Sequence, residues 1–197
     1  MADQATGLLS GFLRRVRLRI ALPYLTPPIL DVGCGNGFIC RHFNPVEYKG
    51  VDIDEATLAQ ARMLHPRHGF CRLDELRPDE AFNTIVLLAV IEHVNDPAGF
   101  LRRLATHLIV DGRIVLTTPH SSYDGFYEIG SRWGLFSRQA AQEHTNTYNY
   151  AAIATLCHQA GLVLECYQRF LFGANQLFVL KQTPASSAGR LLPSRLR

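Results

Sequence analysis

Asp31-Val-Gly-Cys-Gly-Asn-Gly37, followed by Gly50-Val-Asp52-Ile-Asp54, is the stretch whose reading decides the fold. It predicts a strand, a tight glycine loop, a helix and a second strand ending in a carboxylate. Glycine lacks a Cβ, so the loop can turn sharply and let a ligand approach the backbone. A carboxylate at the tip of the next strand can accept hydrogen bonds from both hydroxyls of a ribose. Together they point to a nucleoside site at the carboxyl edge of a parallel sheet.

Glycine spacing narrows the ligand. A dinucleotide fingerprint needs G-x-G-x-x-G/A, but the sixth position counted from Gly33 is Phe38 and from Gly35 it is Cys40. A phosphate-gripping loop would need G-x-x-x-x-G-K-[ST], and the chain contains no Gly-Lys pair. Asp31 stands ahead of the loop instead, where an acid suits an ammonium group and repels a pyrophosphate. The resulting D-x-G-x-G-x-G run resembles the first motif of the class I S-adenosylmethionine-dependent methyltransferases.

Outward from this motif, strands and helices alternate. Strands are expected at Ile29–Val32, Tyr48–Ile53, Phe70–Leu73, Thr84–Ala89 and Arg113–Thr118. The fourth is a continuous apolar run, as in a strand buried on both faces. Helices are expected over Phe38–Phe43, from an Asp54 N-cap to Met63, over Pro97–Leu108 with proline in the first turn, and over Tyr148–Ala160, stopped by Gly161. Two last strands, Leu162–Arg169 and Gln176–Lys181, flank Phe-Gly-Ala-Asn as a hairpin. The pattern predicts an α/β fold with a doubly wound, seven-stranded, Rossmann-like sheet, mostly parallel with an antiparallel last strand. That arrangement is also the one the resemblance implies, and the resemblance covers residues 25 to 182.

Composition agrees with a single globular domain: 197 residues, 47% hydrophobic and 19% charged. A net charge of +3 does not by itself call for a nucleic-acid partner. The five cysteines contain no C-x-x-C pair, which predicts reduced thiols rather than a disulfide framework or zinc site. Without a signal peptide or an apolar run of about 18 residues, the expected location is cytoplasmic. Residues 1 to 24 include a basic amphipathic stretch with Arg14, Arg15, Arg17 and Arg19. One reading packs this helix beside the first strand with its arginines solvated or snorkelling. The other makes it a peripheral anchor on anionic lipid or on a phosphate-bearing substrate. Residues 183 to 197 are expected to form a flexible tail.

The resemblance implies S-adenosylmethionine as cofactor and assigns roles residue by residue. Gly33, Cys34, Gly35, Asn36 and Gly37 would wrap its methionine part, with Asp31 toward the amino group. Asp52 would hold the ribose hydroxyls and Ile53 would lie against the adenine. Asp74 matches the acid that accepts from the adenine amino group, and Leu88 and Ala89 would line the sulfonium side. The family usually has Asp before the fourth strand, where this chain has Asn83; that position is expected to be structural.

A hydroxyl acceptor needs a group to take its proton. Candidates stand just beyond the fourth strand, in Glu92 and His93, with His144 in the insertion that follows the fifth. The Ile-Glu-His segment resembles that of quinone-biosynthesis O-methyltransferases and of small-RNA 2′-O-methyltransferases. The RNA family holds Mg²⁺ on an E-x-x-E-H motif; here Ala89 replaces the first glutamate, so no metal site is expected. His93 is open to two readings, general base or structural residue. The insertion, about 119 to 146, would act as a lid over the acceptor, with His120, Tyr123, Tyr127, Arg132 and Trp133 as substrate candidates. The expected activity is methyl transfer to oxygen of a small-molecule, glycan or lipid-linked acceptor. Alternatives are an RNA 2′-O-methyltransferase, disfavoured by the lost glutamate, and a non-catalytic cofactor-binding subunit.

Overall fold

The computed structural model describes residues 2–121 and 146–183, of which residues 2–10 are described by backbone alone. Seven strands form one sheet: β1 (Ile29–Val32), β2 (Tyr48–Asp52), β3 (Gly69–Arg72), β4 (Phe82–Leu88), β5 (Leu108–Pro119), β6 (Leu162–Phe170) and β7 (Asn175–Gln182). Their spatial order is β3-β2-β1-β4-β5-β7-β6. The first five run parallel, and β7 lies antiparallel between β5 and β6. The chain thus leaves β1 toward one edge, returns through β4, and brings the carboxyl ends of β1 and β4 side by side. In open α/β sheets such a reversal opens a crevice for a ligand.

Among the described residues, four α-helices cover the sheet: α1 (Ala2–Ala21), α2 (Glu55–Leu64), α3 (Pro97–Ala105) and α4 (Tyr150–Gln159). Alternation along the strands separates two layers of core. Ile85, Leu87, Ile114, Leu116 and Phe178 pack with Leu101 and Leu104 of α3 and Ile153 of α4. Ile29, Tyr48 and Val86 face the other way, onto Leu18 of α1 and Leu58 and Ala61 of α2. Ala21 of α1 packs on Val115, Leu177 and Val179. Asp54 caps α2, its side chain accepting from the Ala56 N–H at 3.1 Å. No helix among the described residues is long and apolar enough to cross a membrane.

Three expectations need correction. Residues 38–43 form no α-helix: Cys40, His42 and Phe43 bond back three residues, to Gly37, Ile39 and Cys40, and only Cys40–His42 is a 3₁₀ turn. Asn44 is extended ahead of Pro45, whose ring disfavours a helical residue before it, so the helix has no room to continue. Helix α3 stops at Ala105, short of Leu108, and β5 begins at Leu108, well before Arg113. The extra length passes through Asp111 at φ 63° and Gly112, where a Cβ would lie 2.9 Å from the Ile109 carbonyl. The hairpin turn is Leu-Phe-Gly-Ala, with Asn175 already the first residue of β7. Asn83 is structural as expected: its amide donates to the Pro27 carbonyl, tying β4 to the approach to β1.

Candidate functional site

The glycine loop hangs from the tip of β2. Gly33 and Cys34 N–H groups both donate to the Val51 carbonyl, at 2.8 and 3.1 Å. The next donor, Gly35 N–H, goes to Oδ2 of Asp52 at 2.9 Å. Oδ1 of Asp52 accepts from the N–H groups of Ile53 and Asp54, at 2.7 and 3.2 Å. The carboxylate is thereby oriented by backbone on both oxygens. Gly33 is required twice over: its φ is +70°, and a Cβ there would meet Val90 Cγ2 at 2.6 Å. Gly35, at φ +54°, has open space on the side where a Cβ would project. That open face is where a ligand can lie against the loop.

A cavity of about 310 Å³ opens beside it. Asp31, Gly33, Cys34, Gly35 and Leu88, all candidates named from the sequence, line it, and Arg14, Arg17, Phe38 and Ile39 complete the wall. Asp31 is 2% exposed, and burial pushes its carboxyl up to about 7; a hydrogen bond from Tyr48 pulls the other way and Asp52 adds to the rise. Two of the four α1 arginines expected to be solvated or snorkelling have partners beside this cavity. Arg14 lies 4.8 Å over the Phe38 ring and reaches Asn36 Oδ1 at 3.5 Å. Arg17 donates through Nε to Asn175 Oδ1 at 3.1 Å. Arg15 and Arg19 remain on the exposed side of α1, with Phe12. The cavity therefore presents one carboxyl group and two guanidiniums, a set that matches the two charged ends of an amino acid.

On the far side of Asp52, Ile53 is 78% exposed and offers an apolar face at the mouth of the site. Asp74 stands at the same rim, bonded to Arg72 Nε at 3.2 Å, and Arg72 Nη1 in turn reaches the Ile53 carbonyl at 3.2 Å. Asp74 and Ile53 are thus brought together through Arg72. The Arg72 contact, with Arg103 nearby, holds the Asp74 carboxyl below its ordinary value.

Beyond β4 the chain turns sharply. Ala89 takes φ +59°, a left-handed conformation that costs a residue with a Cβ about 1–2 kcal/mol, and its N–H donates to the Thr117 carbonyl at 2.9 Å. Ile91–His93 is a 3₁₀ turn that sends its two candidate groups apart. Glu92 is 3% exposed, with Oε2 unpartnered, and burial raises its carboxyl above the usual range against the pull of Arg17 and His93. His93 is exposed. The Glu92 carbonyl accepts from Asn146 N–H at 3.0 Å, which ties this turn to the segment leading into α4. His120 is buried, its N–H bonded to the Ala174 carbonyl at 3.0 Å, beside Tyr148. His144, Tyr123, Tyr127, Arg132 and Trp133 lie outside the described residues, as does most of the lid insertion. Among the described residues no cluster of metal-ligating side chains occurs.

Sequence reasoning missed Arg14, Arg17, Phe38 and Ile39. The signal for the arginines was present: three residues apart, they share a helix face flanked by Leu18 and Ala21, which the sheet buries. Tyr48 was missed as well, although Gly50, its neighbour two residues on, pairs with Asp31 across the sheet.

Comparison with known proteins places most of the chain in one family. A family model described as a methyltransferase domain matches residues 6–167. The ubiquinone biosynthesis O-methyltransferase of Bradyrhizobium sp. (strain ORS 278) is 33% identical over 107 residues, which is 50% of this chain and 42% of that protein. The chain thus spans less than half the length of the curated relatives it matches. Among solved structures, an S-adenosylmethionine-dependent methyltransferase from Mesorhizobium loti superposes with a TM-score of 0.68 at 20% identity, covering 86% of this chain and 100% of that one. A magnesium protoporphyrin IX methyltransferase from Synechocystis PCC 6803 with bound SAH gives a TM-score of 0.60 at 16% identity, covering 90% and 83%. These superpositions establish a shared fold.

Proposed function

The chain belongs to the class I S-adenosylmethionine-dependent methyltransferases, and we propose that it transfers the methyl group of that cofactor to an oxygen of a small-molecule acceptor. The observation that carries this reading is the cavity in which Asp31, Arg14 and Arg17 meet beside a glycine loop pinned to Asp52. Its groups fit the cofactor: Asp31 for the ammonium, the two arginines for the carboxylate, Asp52 for the ribose hydroxyls. Ile53 and Asp74, joined through Arg72, suit the face and edge of an adenine. Leu88 gives the cavity an apolar wall at the end of β4, where the reacting centre would lie.

When bound, S-adenosylmethionine supplies a methyl group on a positively charged sulfur, open to in-line displacement by an acceptor oxygen. The protein's share is alignment and exclusion of water, and alignment of two reactants can supply about 7–11 kcal/mol of the barrier in favourable systems. His93, on the exposed side of the turn after β4, is the base that takes the acceptor proton. Glu92 is walled in beneath it and acts as the buried partner of that turn rather than as the base itself. Transfer to oxygen is supported by the ubiquinone biosynthesis O-methyltransferases among the relatives. Acceptors of this reading are hydroxylated rings, glycans or lipid-linked headgroups.

The test is a methyl-transfer assay with labelled cofactor against catechols, hydroxylated aryl acids, glycosides and an RNA oligonucleotide, each with and without Mg²⁺. Label on a phenolic or sugar oxygen, lost in His93→Gln, supports the proposal. Label confined to RNA, to nitrogen or to carbon contradicts it.

A further inference from the structure

Tyr48 is 4% exposed at the start of β2, and its hydroxyl donates to Oδ2 of Asp31 at 2.6 Å. The sheet register explains the contact. Gly50 pairs with Asp31, and Tyr48 pairs with Ile29 two residues back, so all four positions share one face. Gly50 projects nothing between them, and Phe70 and Cys34 close over it, at 2.7 and 2.9 Å from where a Cβ would stand. The Tyr48 ring is held by Phe43, His68 and Phe70, with centroids 6.4, 5.7 and 5.9 Å away. Its hydroxyl therefore has one destination. Among the described residues nothing donates to Oδ1 of Asp31, and Asp31 lines the cavity.

We propose that Tyr48 is a positioning residue for cofactor recognition, fixing Asp31 by one oxygen so that capture of the cofactor's ammonium expels the proton of the Asp31 carboxyl. The step balances: the carboxyl loses its proton to solvent, and the carboxylate that remains pairs with the ammonium. It rests on the family's cofactor and is independent of the acceptor.

The groups around Asp31 fit this role. Burial has already moved its carboxyl to about 7, so near neutrality part of the free protein carries the proton. Tyr48 favours the ionised form, and Asp52 on the same strand opposes it. Cys34 in the loop and Cys40 in the following turn also sense the Asp31 charge, and both thiols are pushed up, chiefly by burial. Arg14 and Arg17 of α1 complete the wall. An arriving ammonium favours the carboxylate, so cofactor affinity rises with pH through about 7 and levels off above it.

The experiment is calorimetric titration with S-adenosylhomocysteine and with methylthioadenosine, which keeps the nucleoside and sulfur but lacks the amino acid. In the wild type, homocysteine-ligand affinity should rise about tenfold between about pH 6 and about pH 8, with proton release measured in buffers of different ionisation enthalpy, while methylthioadenosine affinity stays flat. Tyr48→Phe should shift the rise to higher pH and weaken S-adenosylhomocysteine alone. Asp31→Asn should abolish both the rise and the proton release while still binding methylthioadenosine. A flat wild-type profile, or equal weakening of both ligands by Tyr48→Phe, overturns the proposal. Should Tyr48→Phe fail to fold, the wild-type and Asp31→Asn comparison still decides proton release. Failure of wild-type protein to bind either ligand would instead overturn the cofactor assignment.

Discussion

The backbone N–H of Gly35 donates to Oδ2 of Asp52 at 2.9 Å, joining the glycine loop after β1 to the carboxylate that ends β2. With Ile53 and Asp54 on the other oxygen, the side chain expected to hold a ribose also holds the loop expected to hold the methionine. Removing it should damage both halves of the site. Asp52→Ala should weaken S-adenosylhomocysteine by 100-fold or more, about 2.7 kcal/mol or beyond, and lower unfolding stability by about 1–3 kcal/mol. Asp52→Asn, which keeps one acceptor oxygen, should fall between. Titration calorimetry and urea unfolding measure the two effects; an Ala variant with full stability would show that the loop does not depend on this carboxylate.

Gly33→Ala places a Cβ in a left-handed backbone position and 2.6 Å from Val90 Cγ2. Strain and displacement of the turn after β4 should together cost about 1–3 kcal/mol. Cofactor affinity should fall in parallel because Leu88 and Gly33 share one cavity. Gly35→Ala meets no neighbour among the described residues, so its stability cost should be the smaller and its effect on binding the larger. Equal stability losses at the two positions would contradict this assignment of their roles.

Arg17 bridges α1 and the first residue of β7 through Asn175, whose Nδ2 is itself buried and unpartnered. Arg17→Met keeps most of the side-chain volume but leaves the Asn175 oxygen without that donor, which should destabilise the fold by about 1–3 kcal/mol. It should also weaken S-adenosylhomocysteine about tenfold and spare methylthioadenosine, because only the former carries a carboxylate for the guanidinium. Parallel loss of both ligands would place Arg17 in the scaffold rather than the binding wall.

Two buried carboxyls set a pH dependence of stability with a definite sign. Asp31 titrates near 7 in the folded chain but near about 3.9 when unfolded. Between those values the folded state keeps a proton that the unfolded state has lost, so stability falls as pH rises across the window and is constant above it. Glu92, raised by burial as well, acts in the same direction. Asp31→Asn should therefore match the wild-type melting temperature only below the window, near about pH 3.5, and exceed it increasingly as pH rises, by several degrees or more near about pH 8, read by thermal unfolding without ligand. A variant less stable than wild type at every pH would contradict this balance.

Much of this was legible in sequence. Ile29–Val32 and Asp52 lie where the motif placed them, because a buried apolar strand feeding a glycine loop leaves the chain little choice. The Asp54 cap was visible for the same local reason. Other features depended on contacts between distant segments. Arg14 and Arg17 look like surface charges until α1 is laid on the sheet with Leu18 and Ala21 inward. Tyr48 acquires a role only through its register with β1. Glu92 and His93 are adjacent in sequence, yet the 3₁₀ turn buries one and exposes the other, a distinction that neither residue type carries. Phe38–Phe43 stands where a helix is expected after the glycine loop, but Asn44-Pro45 closes the segment too early.

The proposed cofactor site is the cavity between Asp31, Gly35 and Arg17. The most direct measurement is calorimetric titration of the purified protein with S-adenosylmethionine and S-adenosylhomocysteine, repeated on Asp52→Ala. The account predicts binding of both at about micromolar affinity, near −8 kcal/mol, lost in the variant while its fold persists. A folded wild-type protein that binds neither, or a variant that binds both unchanged, would contradict it.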